Sequence, residues 1–158
     1  MDISIRYAEQ NDYESLVPLF RQVHEFHVSV RPDLYKDHTS PVEKEFFESQ
    51  LMDDKQHIFV AIINHQFVGV IVTKEEETPE NSFVKARNVL VINSLSVAAP
   101  FRKKGIGKKL TTYVFDLGKR LGVDSIELGV SEKNSAAIEF YRSLGMKTKS
   151  RRMELPFK

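Results

Sequence analysis

A single α/β domain built on a mixed sheet is the fold that this 158-residue sequence predicts. Three observations carry that prediction. Apolar residues alternate along several short segments, the period of half-buried strands. Between them run stripes at the helical period, bounded by capping and breaking residues. Near the middle, an apolar strand runs into a glycine-containing basic loop and straight on into an amphipathic stretch, a strand–loop–helix unit.

Taken in order, Ile3, Ile5 and Tyr7 alternate with polar residues and predict a first strand. Asn11 with Glu14 three residues on reads as a capping pair. It opens a helix that places Leu16, Phe20 and Val23 on one face, with Pro18 expected to kink it. Arg31-Pro32-Asp33 ends that segment. Ser40-Pro41-Val42-Glu43 has a capping serine, a proline at the first helical position and a glutamate at the third, so a second helix is expected to run to Met52. His57 to Ile63, Asn64-His65-Gln66 and Phe67 to Thr73 form a predicted antiparallel hairpin. Glu75 to Asn81 reads as an acidic loop. A long strand then ends at Val97, and Ile106, Leu110, Val114, Leu117 and Leu121 stripe a helix that Gly122 stops. Ser125 to Val130 is expected as a short strand, Asn134 to Gly145 as a last helix, and Lys147 to Leu155 as a final polar strand.

Composition narrows the function classes. No apolar run approaches the roughly 18 residues that a membrane span requires, and the N-terminus lacks a basic-then-apolar signal. The chain has no cysteine, which removes disulfides, thiolate metal sites and any acyl-cysteine intermediate, and which suits a cytoplasmic setting. The net charge of +1 hides a strong asymmetry. Residues 1–81 hold 16 Asp/Glu against 7 Lys/Arg, a balance of −9, and residues 82–158 hold 6 against 16, a balance of +10. The basic half suits a multiply charged anion and the acidic half a cationic partner. Nucleic acid is not the expected partner, because the basic residues lack interleaved aromatics.

The chemistry concentrates in Arg102-Lys103-Lys104-Gly105-Ile106-Gly107-Lys108. Glycines at a helix start allow positive φ and close approach, and the first turn offers unpaired N–H donors and the positive end of the dipole. Such a loop is suited to a pyrophosphate. It is not a Walker loop, since neither glycine has a second one five positions on, nor a dinucleotide fingerprint, since the third glycine position falls on Leu110.

The R-x-x-G-x-G pattern resembles the acetyl-CoA loop of the GCN5-related N-acetyltransferase (GNAT) family. The later stretch, from Ser125 through Asn134 to Phe140-Tyr141 and Gly145, looks like that family's second hallmark. The resemblance covers nearly the whole chain. It implies a mixed, mostly antiparallel central sheet flanked by helices, with a splayed pair of parallel strands holding acetyl-CoA. It further implies backbone contacts to the pantetheine arm from Leu95, Ser96 and Val97, and pyrophosphate contacts from Arg102, Lys103, Lys104, Gly105, Ile106, Gly107 and Lys108. Tyr141 would protonate the departing thiolate: a phenol of pKa about 10 stays protonated at neutral pH. Asn134 has two competing uses, helix cap and coenzyme A ligand.

One departure concerns the general base. Many members carry a carboxylate just before the Leu95 position, where this chain has Asn93 and Ser94. His24 and His27 lie at the end of the first helix, the side that the resemblance gives to the acceptor, and histidine as a residue type can exchange protons near neutral pH, so both are substrate-side candidates. A metal is not expected, for His24 and His27 have no evident third ligand. The expected activity is acetyl-CoA-dependent transfer to a primary amine, with a small cationic amine favoured. Two other readings stay open: a non-catalytic coenzyme A-binding module, and an acetyltransferase acting on protein N-termini or lysines. A homodimer is compatible with any of them.

Overall fold

The computed structural model describes residues 2–158. Five strands make one sheet in sequence order: β1 (Ser4–Tyr7), β2 (Gln56–Ile63), β3 (Gln66–Thr78), β4 (Arg87–Val97) and β5 (Ser125–Glu127). Pairing is antiparallel from β1 through β4 and parallel between β4 and β5. Four α-helices, α1 (Tyr13–Val30), α2 (Lys44–Met52), α3 (Ile106–Leu121) and α4 (Ser135–Ser143), and two short 3-10 helices at Gln10–Asp12 and Ala99–Phe101 complete the described elements.

The sheet is buried on both faces because its strands carry two apolar sets. Leu16, Leu19 and Phe20 of α1 and Phe47 of α2 pack on Ile58, Val60, Val70 and Val72. On the other face, Ile106, Leu110, Val114 and Leu117 of the predicted α3 stripe cover Phe59, Ala61, Ile71, Leu90 and Ile92, whereas Leu121, expected on the same stripe, is exposed in the last turn. Asn64 and His65 take φ of 48° and 64°, the left-handed pair that a two-residue hairpin demands. Gly122 closes α3 at φ 71°.

Several boundaries differ from expectation, each for a local reason. The chain enters α1 through Asp12 instead of an Asn11–Glu14 box. Asp12 is buried, accepts two bonds from the Arg6 guanidinium (2.7 and 3.0 Å) and takes the Glu9 N–H at 2.7 Å. Burial alone would raise its pKa, but the hydrogen bonds from Arg6 and Glu9 outweigh burial and hold it below the ordinary carboxylate value. Helix α1 runs on through Pro18, which faces solvent. α2 starts at Lys44 after Glu43, without a side-chain cap from Ser40. β3 absorbs Glu75 to Thr78, read above as loop, because β4 extends back to Arg87 and pairs with them. β5 stops at Glu127 instead of Val130, and Lys147 to Leu155 forms no strand.

Two irregularities of β4 shape the site. Ser94 pairs with Val72 and Ile92 with Thr73, so Asn93 is an extra residue, a bulge. The parallel pairing covers only Val89–Ser125, Leu90–Ile126 and Val91–Glu127. Beyond Val91, β4 continues to Val97 with no strand on that side among the described residues, and the parallel pair has parted.

Candidate active site

Gly105 caps α3 in the left-handed region at φ 83°, and Lys103 is left-handed at φ 62°. This alternation turns the amides of the loop one way, as in an anion-binding nest. From Lys103 through Lys108 no backbone N–H has an acceptor among the described residues; the first helical bond runs from the Lys109 N–H to the Gly105 carbonyl at 3.0 Å. Arg102, Lys103, Lys104 and Lys108 are exposed around these donors. The arrangement fits a pyrophosphate, supplying both directed donors and full positive charge.

Next to the loop lies the end of β4. Ala98 donates to the Val68 carbonyl of β3 at 2.8 Å, so by strand alternation the amides of Leu95 and Val97 turn away from β3, toward the parted side. The Ser96 side chain faces the opposite way, is buried, and donates to the Leu19 carbonyl of α1 at 2.9 Å. Gln22, a residue the sequence did not single out, ties α1 to the same point. Its amide donates to the Val97 carbonyl (2.7 Å) and the Ser96 hydroxyl (3.2 Å), while its carbonyl accepts from the Ala99 N–H (3.2 Å).

α4 brings the aromatic pair against this strand. Asn134 caps α4, its side-chain carbonyl accepting from the Ala137 N–H at 3.1 Å, so the cap use of this residue is realised. Phe140 and Tyr141 meet edge to face with ring centroids 5.0 Å apart. A Cβ on Gly107 would stand 3.5 Å from the Phe140 ring and 3.7 Å from Val97. The bare face of Gly107 therefore meets α4 and β4, and only its N–H is left for a ligand. Tyr141 packs against the same core cluster as Leu95 and Val97. Burial pushes its phenol up to about 12, and its hydroxyl has no protein partner among the described residues.

On the far face of β4 a cleft of about 570 Å³ opens between α1, α2 and the strands. His24, His27, Asn93 and Ser94 all line it. Asn93 and Ser94 reach it together because the bulge lets two consecutive residues face one side. His24 is engaged through Nε2 with the Lys36 carbonyl. His27 stacks on Tyr35 with centroids 5.0 Å apart. Burial, then the nearby His24, lower its pKa, so it is neutral at pH 7 and able to take a proton. Lys74 and Glu76 also line the cleft. From sequence, the strand is expected to end at Thr73 and Glu76 to lie in a loop, so neither Lys74 nor Glu76 is singled out.

A mixed sheet whose one parallel pair parts beside a basic glycine loop defines the class, an acetyltransferase fold. The family model described as Acetyltransferase (GNAT) family matches residues 20–146, and the chain belongs to that family, whose members use acetyl-CoA. The structure superposes on a point mutant of the BH1408 protein from Bacillus halodurans with TM-score 0.95 and 31% identity, covering 98% of this chain and 99% of that one. N-alpha-acetyltransferase 30 of Schizosaccharomyces pombe is 25% identical over 130 residues, 82% of this chain and 83% of its own length. An uncharacterized N-acetyltransferase of Methanocaldococcus jannaschii is 31% identical over 104 residues, 66% of this chain; the match spans 45% of that relative.

Proposed function

We propose that this chain is a single-domain N-acetyltransferase that moves an acetyl group from acetyl-CoA to a primary amine, directly, in a ternary complex. The observation that carries the reading is a convergence. The unpaired N–H groups of Lys103 to Lys108, the gap-side amides of Leu95 and Val97, and Tyr141 meet at one end of β4, with the amine cleft on its other face.

Acetyl-CoA supplies the activated thioester. The loop, with Arg102, Lys103, Lys104 and Lys108, holds its pyrophosphate; Leu95 and Val97 orient the arm through backbone, and Ser96 supports them by holding β4 to α1. Asn134 is left a free amide NH₂ for the same ligand, because only its carbonyl is used in the cap. The acceptor enters past His24 and His27. His27 takes the amine proton, Asn93 and Ser94 order the amine or a water beside it, and the nitrogen attacks the acetyl carbon. The C–N bond forms, the C–S bond breaks, and the Tyr141 hydroxyl meets the charge developing on sulfur. Orientation of this kind can supply roughly 7–11 kcal/mol of the barrier. With no cysteine in the chain, no thioester to the enzyme intervenes. The expected acceptor is a small cationic amine, and the setting without cysteine suits the cytoplasm.

The Schizosaccharomyces pombe relative, named an N-alpha-acetyltransferase, supports a second reading in which the amine belongs to a protein N-terminus. Incubating the purified chain with acetyl-CoA and a panel of amines and peptides tests both. Free thiol and acetylated acceptor should appear in equal amounts, and a small-molecule acceptor should outperform peptides. Binding of acetyl-CoA without turnover of any acceptor would overturn the enzyme reading in favour of a binding module.

A further inference from the structure

The amine cleft presents one full charge of each sign, and the register of the sheet sets their order. Val72, Lys74 and Glu76 alternate onto one face of β3, and all three line the cleft. Val72 is level with Ser94, Lys74 with Val91 and Glu76 with Val89. At the rise of a strand, Lys74 therefore stands about 7 Å, and Glu76 about 13 Å, from the Ser94 level. The gap between β4 and β5 opens beyond Val91, so the reacting end of the cleft is the Ser94 end and the two charges lie behind it.

The neighbours of this pair are already committed. Glu75 binds the His57 ring at 2.7 Å on the opposite face, and Glu77 binds Lys55 at 3.3 Å. Lys74 and Glu76 form neither an ion pair nor a side-chain hydrogen bond among the described residues. Although residues 1–81 carry 16 carboxylates, Glu76 is the one that lines this cleft among the described residues. An acceptor in the cleft thus meets one cation and one anion, with His24 and His27 across from them on α1.

We propose that Lys74 and Glu76 are specificity-determining residues that read a zwitterionic amino-acid head group, which makes the acceptor a diamino acid acetylated on its side-chain amine. The proposal rests on the N-acetyltransferase reading above and names its substrate class. Lys74 pairs with the α-carboxylate and Glu76 with the α-ammonium. The flexible four-carbon stem of a lysine-like side chain then carries the reacting amine back toward Ser94 and His27. A plain diamine would leave Lys74 facing a second cation, and an amino carboxylate without an α-amine would leave Glu76 unpaired. The head group exchanges no atoms. At the other end the N–C bond forms, the C–S bond breaks, and one amine proton leaves to His27 while the thiolate is protonated.

The test uses the full chain, acetyl-CoA and four matched acceptors: L-lysine, cadaverine, ε-aminocaproate and pentylamine. The wild type should turn over lysine with the highest kcat/KM. Lys74→Ala should lower kcat/KM roughly tenfold for lysine and ε-aminocaproate, the size of one lost charge-assisted bond, and spare the other two. Glu76→Gln should lower it by a similar factor for lysine and cadaverine alone. Losses spread evenly over all four acceptors, or cadaverine as the best acceptor of the wild type, would overturn the proposal, and the second of these needs no variant. Turnover of no amine at all would instead bring down the N-acetyltransferase reading and this proposal with it.

Discussion

Replacing Tyr141 by Phe removes one oxygen, and the structure sets the size of the effect. The hydroxyl has no protein partner among the described residues, so the variant loses no hydrogen bond on folding and its stability should change by less than about 0.5 kcal/mol. The phenol, at about 12, is fully protonated at pH 7.5, so the donor is present in every molecule. It is also a weaker acid than a thiol of pKa about 8.5, and complete proton transfer to a free thiolate would run uphill by roughly 5 kcal/mol. In the proposed reaction the hydroxyl would therefore act as a hydrogen-bond donor to the developing thiolate, passing its proton only as it regains another. A charge-assisted bond of that kind is worth about 1.5–3 kcal/mol, which places the expected loss in the chemical step near 10²-fold, at the low end of general acid catalysis. Single-turnover kinetics with a chemistry-limited amine measure it, alongside acetyl-CoA affinity by calorimetry, which should not move. An unchanged single-turnover rate would return Tyr141 to a packing role.

The other predictions concern the framework and the proton balance. Gln22→Leu removes three hydrogen bonds of 2.7, 3.2 and 3.2 Å that join α1 to the end of β4, a loss of about 2 kcal/mol that should lower Tm by roughly 4–8 °C; an unchanged Tm in thermal unfolding would contradict the tie. At Gly107 an alanine Cβ finds ordinary contacts of 3.5–3.8 Å, so Gly107→Ala should fold normally. The larger Gly107→Val should press on Phe140, cost about 1–3 kcal/mol and weaken acetyl-CoA binding in calorimetry. Hydrogen bonds from Lys149 and then Arg87 hold the Glu127 carboxyl at about 2. Since that folded value is depressed, its contribution to stability is complete above the ordinary carboxylate range and is lost as pH falls toward 2. Denaturant melts of Glu127→Gln should consequently lose less stability over that window than the wild type. With His27 as base, the acid limb of the pH–rate profile should lie below the ordinary histidine value and should vanish in His27→Ala.

The β2–β3 hairpin and the helix faces were legible because turn and burial leave local marks: Asn64-His65 breaks two apolar runs, and Ile106, Leu110, Val114 and Leu117 repeat at the spacing their packing needs. The glycine loop was legible for a different reason, since left-handed backbone and unpaired amides at a helix start demand glycine chemistry. What escaped depended on partners distant in sequence. β3 runs on to Thr78 only because β4 reaches back to Arg87, and no local signal in three glutamates and a threonine announces that pairing. Gln22 looks like any polar helix residue until its bonds to Val97 and Ala99 are seen. The Asn93 bulge, which lets Asn93 and Ser94 share the cleft, is a mismatch between two strands and is invisible in either one. His24 and His27 were placed on the correct helix, but the sequence could not divide them; the Lys36 carbonyl does.

The central claim is direct transfer between two ligands bound on opposite sides of β4. Initial-velocity kinetics, with acetyl-CoA and the amine varied together, test it most directly. The account predicts double-reciprocal lines that intersect, together with no acetyl label on the protein after incubation with labelled acetyl-CoA alone. Parallel lines with a labelled enzyme would contradict it.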